Sequence, residues 1–280
     1  MKLLTSIDDV ADRYDAVLCD VWGVIHDGFN AYGSACDALV RFRAGGGTVI
    51  LVSNAPVPND QVARMLGSRS VPAAAYDAIV SSGDIALHHV AERGFSKVHN
   101  IGPRDRDAAL FDRLTAADAP LDAAEAIVCS GLVDDVNETA ESYRPLLEEA
   151  VSRGLPFVCA NPDLVVDVGG RLYLCAGAIA ALYEQIGGDV FWAGKPHASA
   201  YEAATRRAAE LRGKPTDRAR ILAIGDSLRT DLAGAAQAGI SGLFIGSGIH
   251  RRDSMSGERI DPAKLAALFK PGSPPALAAM

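Results

Sequence analysis

The sequence ILAIGDSLRTDLAGAAQAG, residues 221–239, decides the fold class. It opens with the apolar run 221–224, which predicts a buried strand, and this run leads directly into Gly225 and Asp226. A helix is predicted over 231–238, beginning at Asp231. Because a strand, a polar turn and a helix in this order form part of a βαβ unit, the stretch predicts a mostly parallel sheet.

Three other predicted strands also end in polar residues. They cover 15–19, 48–52 and 190–193, and they lead into Asp20, Ser53 followed by Asn54, and Lys195. In an open α/β sheet the carboxyl ends of the strands form the ligand crevice. We therefore expect these residues and Asp226 to converge at one edge of the sheet.

The spacing of these residues predicts an inserted domain. From Asp20 to Ser53 the chain advances 33 residues and from Lys195 to Asp226 it advances 31, each about one βαβ unit. From Ser53 to Lys195 it advances 142, and the excess of roughly 100 residues is enough for a small domain. The predicted fold is α/β: a Rossmann-like parallel-sheet core at 1–82 and 188–280, with an inserted α/β domain at 83–187.

Composition and charge exclude several function classes. The chain has 280 residues, with 27 Lys and Arg against 35 Asp and Glu, a formal net charge of −8. Such a chain has no global basic field to attract nucleic acid or an anionic membrane. The longest uncharged apolar stretch, 172–183, reads as a buried or amphipathic helix and is too short to span a bilayer. The first residues do not resemble a secretory signal, so we expect a cytoplasmic protein.

The five cysteines carry no metal or redox signature. They form no C-x-x-C pair and have no histidine partner at metal-ligand spacing. We therefore expect reduced, mostly buried thiols.

The acidic residues at the strand ends suit a divalent metal ion. Asp226 and Asp231 can both face Asp20, and clustered carboxylates are unfavourable without a cation. A site of hard oxygen ligands favours Mg²⁺. Alone, Asp231 is more typical of a helix N-cap and Asp226 of a turn, so the prediction depends on the order of the motifs along the chain.

The remaining strand-end residues suit phosphate. The ammonium of Lys195 would neutralise charge between carboxylate and phosphate. The Ser53 hydroxyl and the backbone N–H groups after its strand, including that of Asn54, would hold phosphoryl oxygens.

At this point the sequence resembles a known family. Four segments are similar to motifs I to IV of the haloacid dehalogenase superfamily: DVWGVIHDG at 20–28, LVSN at 51–54, GKPH at 194–197, and GDSLRTDLAGAAQAG at 225–239. The insertion, with ANPD at 160–163 and CAGA at 175–178, resembles the α/β cap domain of the NagD-like phosphatase branch, subclass IIA. The resemblance covers nearly the whole chain.

The resemblance implies a phosphatase mechanism. The residue matching the nucleophile is Asp20, which would form an aspartyl-phosphate that water hydrolyses. It also implies a metal site made of Asp20, the backbone carbonyl of Trp22, Asp226 and Asp231, while Ser53 and Lys195 match the phosphate-binding residues. The cap would set specificity, and its candidate substrate contacts are Asn161, Asp163 and Arg104.

The sequence departs from the family at Trp22. Family phosphatases have a second aspartate there, which protonates the leaving group and activates water, and an indole can do neither. General acid–base assistance is worth about 10²–10⁴-fold, so we expect a slow enzyme. His26 or Asp27 could supply the proton, or both could belong to an exposed turn.

Two other functions stay open. Haloacid dehalogenases carry an aromatic residue at the position of Trp22, but they use no metal and lack the acidic motif IV. A phosphate-binding protein that has lost turnover is the other alternative. The expected cofactor is Mg²⁺ and the expected partner a small phosphorylated metabolite, with no nucleic acid and no membrane; we also consider a homodimer.

Overall fold

The computed structural model describes residues 1–169 and 171–280, and the chain divides into two units. The first unit comprises Met1–Ser53, Ala63–Val80 and Tyr201–Met280. The second comprises Asn54–Val62 and Ser81–Ala200, so the residues predicted as an inserted domain, 83–187, lie within it.

The strands are numbered in chain order. They are β1 (Lys2–Leu3), β2 (Ala16–Asp20), β3 (Thr48–Ser53), β4 (Ala78–Ser81), β5 (Lys97–Ile101), β6 (Ala117–Asp118), β7 (Ala126–Cys129), β8 (Phe157–Cys159), β9 (Val165–Val168), β10 (Arg171–Leu174), β11 (Val190–Trp192), β12 (Ile221–Gly225), β13 (Ser241–Phe244), β14 (Met255–Ser256), β15 (Arg259–Ile260) and β16 (Ala278–Ala279).

The α-helices follow the same numbering. They are α1 (Gly33–Ala44), α2 (Asn59–Ser68), α3 (Ser82–Arg93), α4 (Ala108–Phe111), α5 (Arg144–Ser152), α6 (Ala176–Gln185), α7 (Ala198–Arg212), α8 (Ala233–Gln237), α9 (Arg251–Ser254) and α10 (Pro262–Leu268). Short 3-10 turns cover Ile7–Asp9, Ala11–Arg13, Ala73–Ala75, Leu121–Ala123, Ala140–Tyr143 and Arg218–Arg220, and a π-helical turn covers Leu228–Leu232.

The first unit is built on a seven-stranded sheet with the order β1-β16-β13-β12-β2-β3-β4. The pairs from β1 to β3 along this order are parallel. The central strands β2, β3 and β12 are almost entirely buried, as expected for a parallel sheet covered on both faces. Because β2 and β12 are neighbours, the residues that follow them reach the same edge of the sheet.

The second unit has a five-stranded parallel sheet with the order β11-β8-β7-β5-β6. Adjacent residues of a strand face opposite sides of the sheet. Phe157 therefore packs into an apolar cluster with Tyr183 of α6, and Val158 packs into another with Val90 of α3. Strands β9 and β10 form a separate antiparallel ribbon.

The predicted α/β class with a parallel-sheet core is confirmed, and three details differ. Strand β11, which the sequence analysis assigned to the core, extends the five-stranded sheet because it pairs in parallel with β8. The apolar stretch 172–183 is not one helix, since its first residues belong to β10, which pairs with β9. The helix predicted over 231–238 begins instead as the π-helical turn.

Two further observations concern the cysteines and the helices. The five cysteines are buried. Among the residues that the structure describes, no helix combines the length and the apolar character that crossing a membrane requires.

Candidate active site

The predicted site residues belong to different units. Those in the first unit are Asp20, Trp22, Ser53, Asp226 and Asp231, and those in the second unit are Asn54, Arg104, Asn161, Asp163 and Lys195. All the predicted metal ligands are therefore in the first unit.

Three aspartates meet at the carboxyl edge of the seven-stranded sheet. Asp20 ends β2, Asp226 follows β12 directly, and Asp231 lies in the π-helical turn. Each offers a carboxylate oxygen, and these oxygens lie within 4.8 Å of one another. Asp226 and Asp231 are buried and Asp20 is half-buried. The structure thus brings together the three side chains that the sequence analysis selected as metal ligands.

The π-helical turn sets the position of Asp231. The side chain of Ser227 caps the turn by accepting the N–H of Thr230, at 3.2 Å. The backbone N–H of Ser227 in turn donates to Oδ2 of Asp231, at 3.1 Å. The Tyr201 hydroxyl donates to the backbone carbonyl of Asp231, at 2.7 Å. Wide turns of this kind are frequent at functional sites.

Glycines leave space for the two buried carboxylates. A Cβ built on Gly225 would fall far inside van der Waals contact with the carboxyl group of Asp231. A Cβ on Gly248 would collide in the same way with Asp226. Next to this glycine, the N–H of Ile249 donates to Oδ2 of Asp226, at 2.7 Å. The backbone therefore approaches both buried carboxylates as closely as only glycine permits.

This donor set fits a hard divalent cation. Like charges held together in a buried site repel strongly, because little water screens them, and a cation would offset that repulsion. The side-chain ligands are all carboxylate oxygens, which Mg²⁺ and Ca²⁺ prefer. The three aspartates could therefore hold a divalent metal ion, with the Trp22 carbonyl as the further ligand that the resemblance implies.

The loop after β2 folds back on itself around Trp22. Trp22 is 38% exposed, and its ring covers Gly28, where a Cβ would clash with the indole. The ring also meets the His26 imidazole edge to face, with 5.3 Å between their centroids and an interplanar angle of 71°. The indole is thus part of the loop's own packing.

The same loop holds His26 neutral. Its Nδ1 accepts the N–H of Gly28, at 2.8 Å, so the ring proton is on Nε2. Burial, with a smaller contribution from Arg69, lowers the pKa of His26 from 6.5 to about 4. The exposed-turn interpretation is wrong for His26, which is buried because its ring packs against Trp22. A neutral imidazole is not ready to protonate a leaving group.

The exposed-turn interpretation is right for Asp27. Its carboxylate accepts the N–H groups of Asn30 and Phe29, at 2.7 and 2.8 Å, and these bonds lower its pKa. Asp27 is exposed and forms the turn. Neither titratable group of this loop therefore holds a proton suited to acid catalysis near neutral pH.

In the second unit, Lys195 is buried and its backbone is held by Asn54. The Lys195 N–H donates to Oδ1 of Asn54, at 2.8 Å, and Nδ2 of Asn54 donates to the Lys195 carbonyl, at 3.0 Å. Nδ2 also donates to Oδ1 of Asp163, at 3.0 Å. The predicted phosphate residue Asn54 thus joins two other predicted residues through its side chain.

The other candidate substrate contacts have local partners. Oδ1 of Asn161 accepts the N–H of Asp163, at 3.2 Å, which is the geometry of a turn after β8. Arg104 forms an exposed ion pair with Asp118, at 2.7 Å, and stacks on Phe111. In the first unit, Ser53 ends β3 and is half-buried.

Sequence reasoning missed two polar residues of these networks. Tyr201 supports Asp231 from α7, and Ser82 donates to Oδ1 of Asn54, at 3.4 Å, from the start of α3. No sequence motif marks either residue, because each acts through a contact between segments that are distant in the chain.

Comparisons with known proteins identify the family. A haloacid dehalogenase-like hydrolase model matches residues 17–130, and a HAD-hydrolase-like model matches 192–270. A solved haloacid dehalogenase-like hydrolase from Brucella suis is 43% identical, with a TM-score of 0.84, over 99% of this chain and 98% of that chain. The fold is that of this class, and the chain belongs to the haloacid dehalogenase-like hydrolase family.

Two named relatives give the branch. The 5'-nucleotidase YutF of Bacillus subtilis is 25% identical over 253 residues, which cover 89% of this chain and 93% of YutF. The ribonucleotide monophosphatase NagD of Escherichia coli is 29% identical over 132 residues, which cover 46% of this chain and 49% of NagD. The resemblance to the NagD-like branch and the predicted enzyme class, a phosphatase of this family, are confirmed.

Proposed function

We propose that the chain is a Mg²⁺-dependent hydrolase of a small phosphate ester that works through an aspartyl-phosphate. The observation that carries the proposal is the group formed by Asp20, Asp226 and Asp231, with ligand oxygens within 4.8 Å of one another. Phosphoryl transfer needs charge neutralisation where the nucleophile stands, and this group supplies both a nucleophile and a cation site.

The chemistry begins at Asp20. A carboxylate oxygen attacks phosphorus and forms an O–P bond, while the bond from phosphorus to the ester oxygen breaks and the alcohol leaves as its anion. Water then attacks phosphorus, the bond to Asp20 breaks, and inorganic phosphate leaves. When bound by Asp20, Asp226, Asp231 and the Trp22 carbonyl, Mg²⁺ would neutralise the negative charge of the phosphoryl oxygens.

Phosphate binding is assigned to Ser53, Asn54 and Lys195. The Ser53 hydroxyl and the Asn54 backbone N–H would donate to phosphoryl oxygens, and the Lys195 ammonium would neutralise them. The assignment of Lys195 and Asn54 comes from the order of the family motifs. Substrate contacts by Asn161 and Asp163, a cytoplasmic location and a homodimer stay predictions.

Trp22 makes the proposed enzyme slow. The indole has no proton to give to a leaving oxygen, and neither His26 nor Asp27 replaces it. The leaving group must therefore depart as an anion, so aryl and acyl phosphates should react faster than alkyl phosphates. Aspartyl-phosphate should also accumulate, because no carboxylate activates the water that resolves it.

The indole at position 22 also favours a second candidate function, a phosphate-binding protein with little or no turnover. It would keep the metal and phosphate sites and lack the general acid. A metal-free dehalogenase is disfavoured, since it would have no use for three clustered carboxylates.

A phosphate-ester panel tests these functions. The purified chain should hydrolyse nitrophenyl phosphate in Mg²⁺ and lose that activity in EDTA. Asp12→Asn provides the matched control, because Asp12 is an exposed aspartate of the same unit outside the site. Tight Mg²⁺-dependent phosphate binding without turnover would select the second candidate. Metal-independent release of halide from haloacids would contradict both.

A further inference from the structure

We propose that the side chain of Asn54 is a positioning residue that holds the backbone of Lys195 in place, an inference that rests on the proposed role of Lys195 in phosphate binding. In this role the Asn54 side chain touches neither phosphate nor substrate. Its contribution to activity passes through the lysine.

The hydrogen-bonding capacity of the Asn54 side chain is fully used. An amide offers two N–H donors and two acceptor lone pairs. Both donors are taken, by the Lys195 carbonyl and by Asp163, each at 3.0 Å. Both lone pairs face donors, the Lys195 N–H at 2.8 Å and the Ser82 hydroxyl at 3.4 Å. A phosphoryl oxygen would have to displace one of these partners.

These partners also require an amide at position 54. The Lys195 N–H needs an acceptor, while the Lys195 carbonyl and the Asp163 carboxylate need donors. Only an amide presents both kinds of group from one planar side chain, and the partners fix which end carries oxygen. Aspartate, which has acceptors alone, would face the Lys195 carbonyl and Asp163 with a repelling oxygen.

The residue before the lysine allows this close approach. Gly194 has a φ of +145°, and a Cβ there would collide with the Ser82 hydroxyl and with Oδ1 of Asn54. The Lys195 peptide is therefore pressed against Asn54 and Ser82 inside the second unit. Lys195 and Asn54 are both buried, so their hydrogen bonds do not compete with bulk water.

Holding both backbone groups of Lys195 fixes where its side chain starts. A shift of about 1 Å in a binding group can cost about 10²-fold in rate. We expect Asn54→Ala to lower kcat by up to about 10²-fold. The amide hydrogen of Lys195 should exchange faster in this variant, because its acceptor is gone.

A double-mutant cycle separates positioning from direct contact. Asn54→Ala should cost less than about 3-fold when added to Lys195→Ala, because the group that it positions is already removed. Added to Asp231→Asn, a change in the other unit, it should cost nearly its full effect. A full additional loss in the Lys195→Ala background, or unchanged exchange of the Lys195 amide in Asn54→Ala, would overturn the proposal.

A second pair of variants covers the case in which Asn54→Ala does not fold. Asn54→Asp keeps the volume and the acceptor for the Lys195 N–H, and it should lower activity. Asp163→Asn should then restore part of that loss, since it returns a donor opposite the new carboxylate. No rescue would overturn the proposal. If the wild type hydrolyses no ester, the proposed function fails separately, and the same variants are read by the affinity for inorganic phosphate and by Lys195 amide exchange.

Discussion

The acidic group of the first unit and the amide network of the second unit are opposite solutions to burying polar groups. In the first, three carboxylates of like charge offer oxygens that lie within 4.8 Å of one another. In the second, the Asn54 amide meets a partner at each donor and acceptor. The first arrangement gathers charges of one sign, whereas the second matches hydrogen-bond donors with acceptors.

This difference separates two tasks of a binding site. A network whose hydrogen bonds are satisfied internally keeps its geometry before the ligand arrives, so little ordering is needed on binding. Repulsion among like charges raises the affinity of the group for cations, because a bound metal ion offsets that repulsion. Removing the metal ion should therefore change the stability of the first unit and leave that of the second unit unchanged.

Removing one carboxylate of the acidic group should have the strongest effect on activity. Asp226→Asn should lower kcat by about 10³-fold and remove its dependence on Mg²⁺, because the cation loses a ligand. In EDTA the same variant should melt at a higher temperature than the wild type, since one repelling charge is gone. Asn54→Asp adds a charge to the other network and should melt lower with or without Mg²⁺. Kinetics and calorimetry check this pair, and unchanged activity of Asp226→Asn would contradict the metal assignment.

Lowering the pH should destabilise the first unit through His26. The pKa of His26 is lowered in the folded chain from 6.5 to about 4 by burial. Between these values the unfolded chain binds the proton and the folded chain does not, so stability is full above pH 6.5 and falls as pH decreases toward about 4. The loss should reach at most about 3 kcal/mol.

Denaturant unfolding at pH 7 and pH 4.5 measures this loss. His26→Asn retains an acceptor for Gly28 and cannot titrate, so the difference in unfolding free energy between the two pH values should shrink. His88→Asn is the control, because it removes a histidine whose side chain is 62% exposed. An equal difference in wild type and His26→Asn would contradict the burial argument.

A smaller effect concerns the space around the carboxylates. Gly225→Ala should destabilise the chain by about 1–3 kcal/mol, because its Cβ would displace the Asp231 carboxylate. Gly67→Ala is the matched control: this glycine lies in α2 with nothing near its missing Cβ, and alanine should stabilise the helix by about 0.5–1 kcal/mol. Thermal melts of both variants measure these stability changes. A Gly225→Ala variant as stable as the wild type would show that the Asp231 carboxylate can move freely.

A substitution at Trp22 should have a smaller effect, which depends on the leaving group. Trp22→Asp restores the carboxylate of the family motif and should raise the rate for alkyl phosphates by about 10-fold, below the 10²–10⁴-fold of an evolved general acid. The rate for nitrophenyl phosphate should change little, because that leaving group needs no proton. Replacing a residue that is 38% exposed should cost less stability than replacing a core aromatic residue.

Phe29→Asp is the control for Trp22→Asp. Phe29 is a 69% exposed aromatic residue of the same loop, so its replacement adds a carboxylate outside the proposed acid position. Steady-state rates with both esters measure the difference. Equal gains in the two variants would show that added negative charge, and not proton donation, is responsible.

The strands and the acidic group were predictable because they depend on local pattern. The apolar run 48–52 lies in β3 (Thr48–Ser53). The strand-end aspartates lie close together because neighbouring parallel strands end at one edge of the sheet. The β9–β10 ribbon was not predictable, since its apolar residues have no periodicity that separates a short strand from a helix.

The contacts of Asn54 were beyond sequence reasoning for a different reason. Its partners Asp163 and Lys195 lie 109 and 141 residues away along the chain. The motif LVSN identified position 54 as a site residue, but only the fold reveals that its amide bonds to a backbone. The neutral state of His26 likewise follows from burial against Trp22, which the sequence HDG does not encode.

The missing side chains at Gly225 and Gly248 also limit how this site can evolve. Every missense change at a glycine codon introduces a Cβ, and at these two positions that atom would occupy the place of a carboxylate. A deep mutational scan should therefore find both positions as intolerant as the aspartates they face. A library aimed at a different metal preference would do better to vary the neighbour Ile249, whose backbone N–H contacts Asp226 while its side chain is exposed.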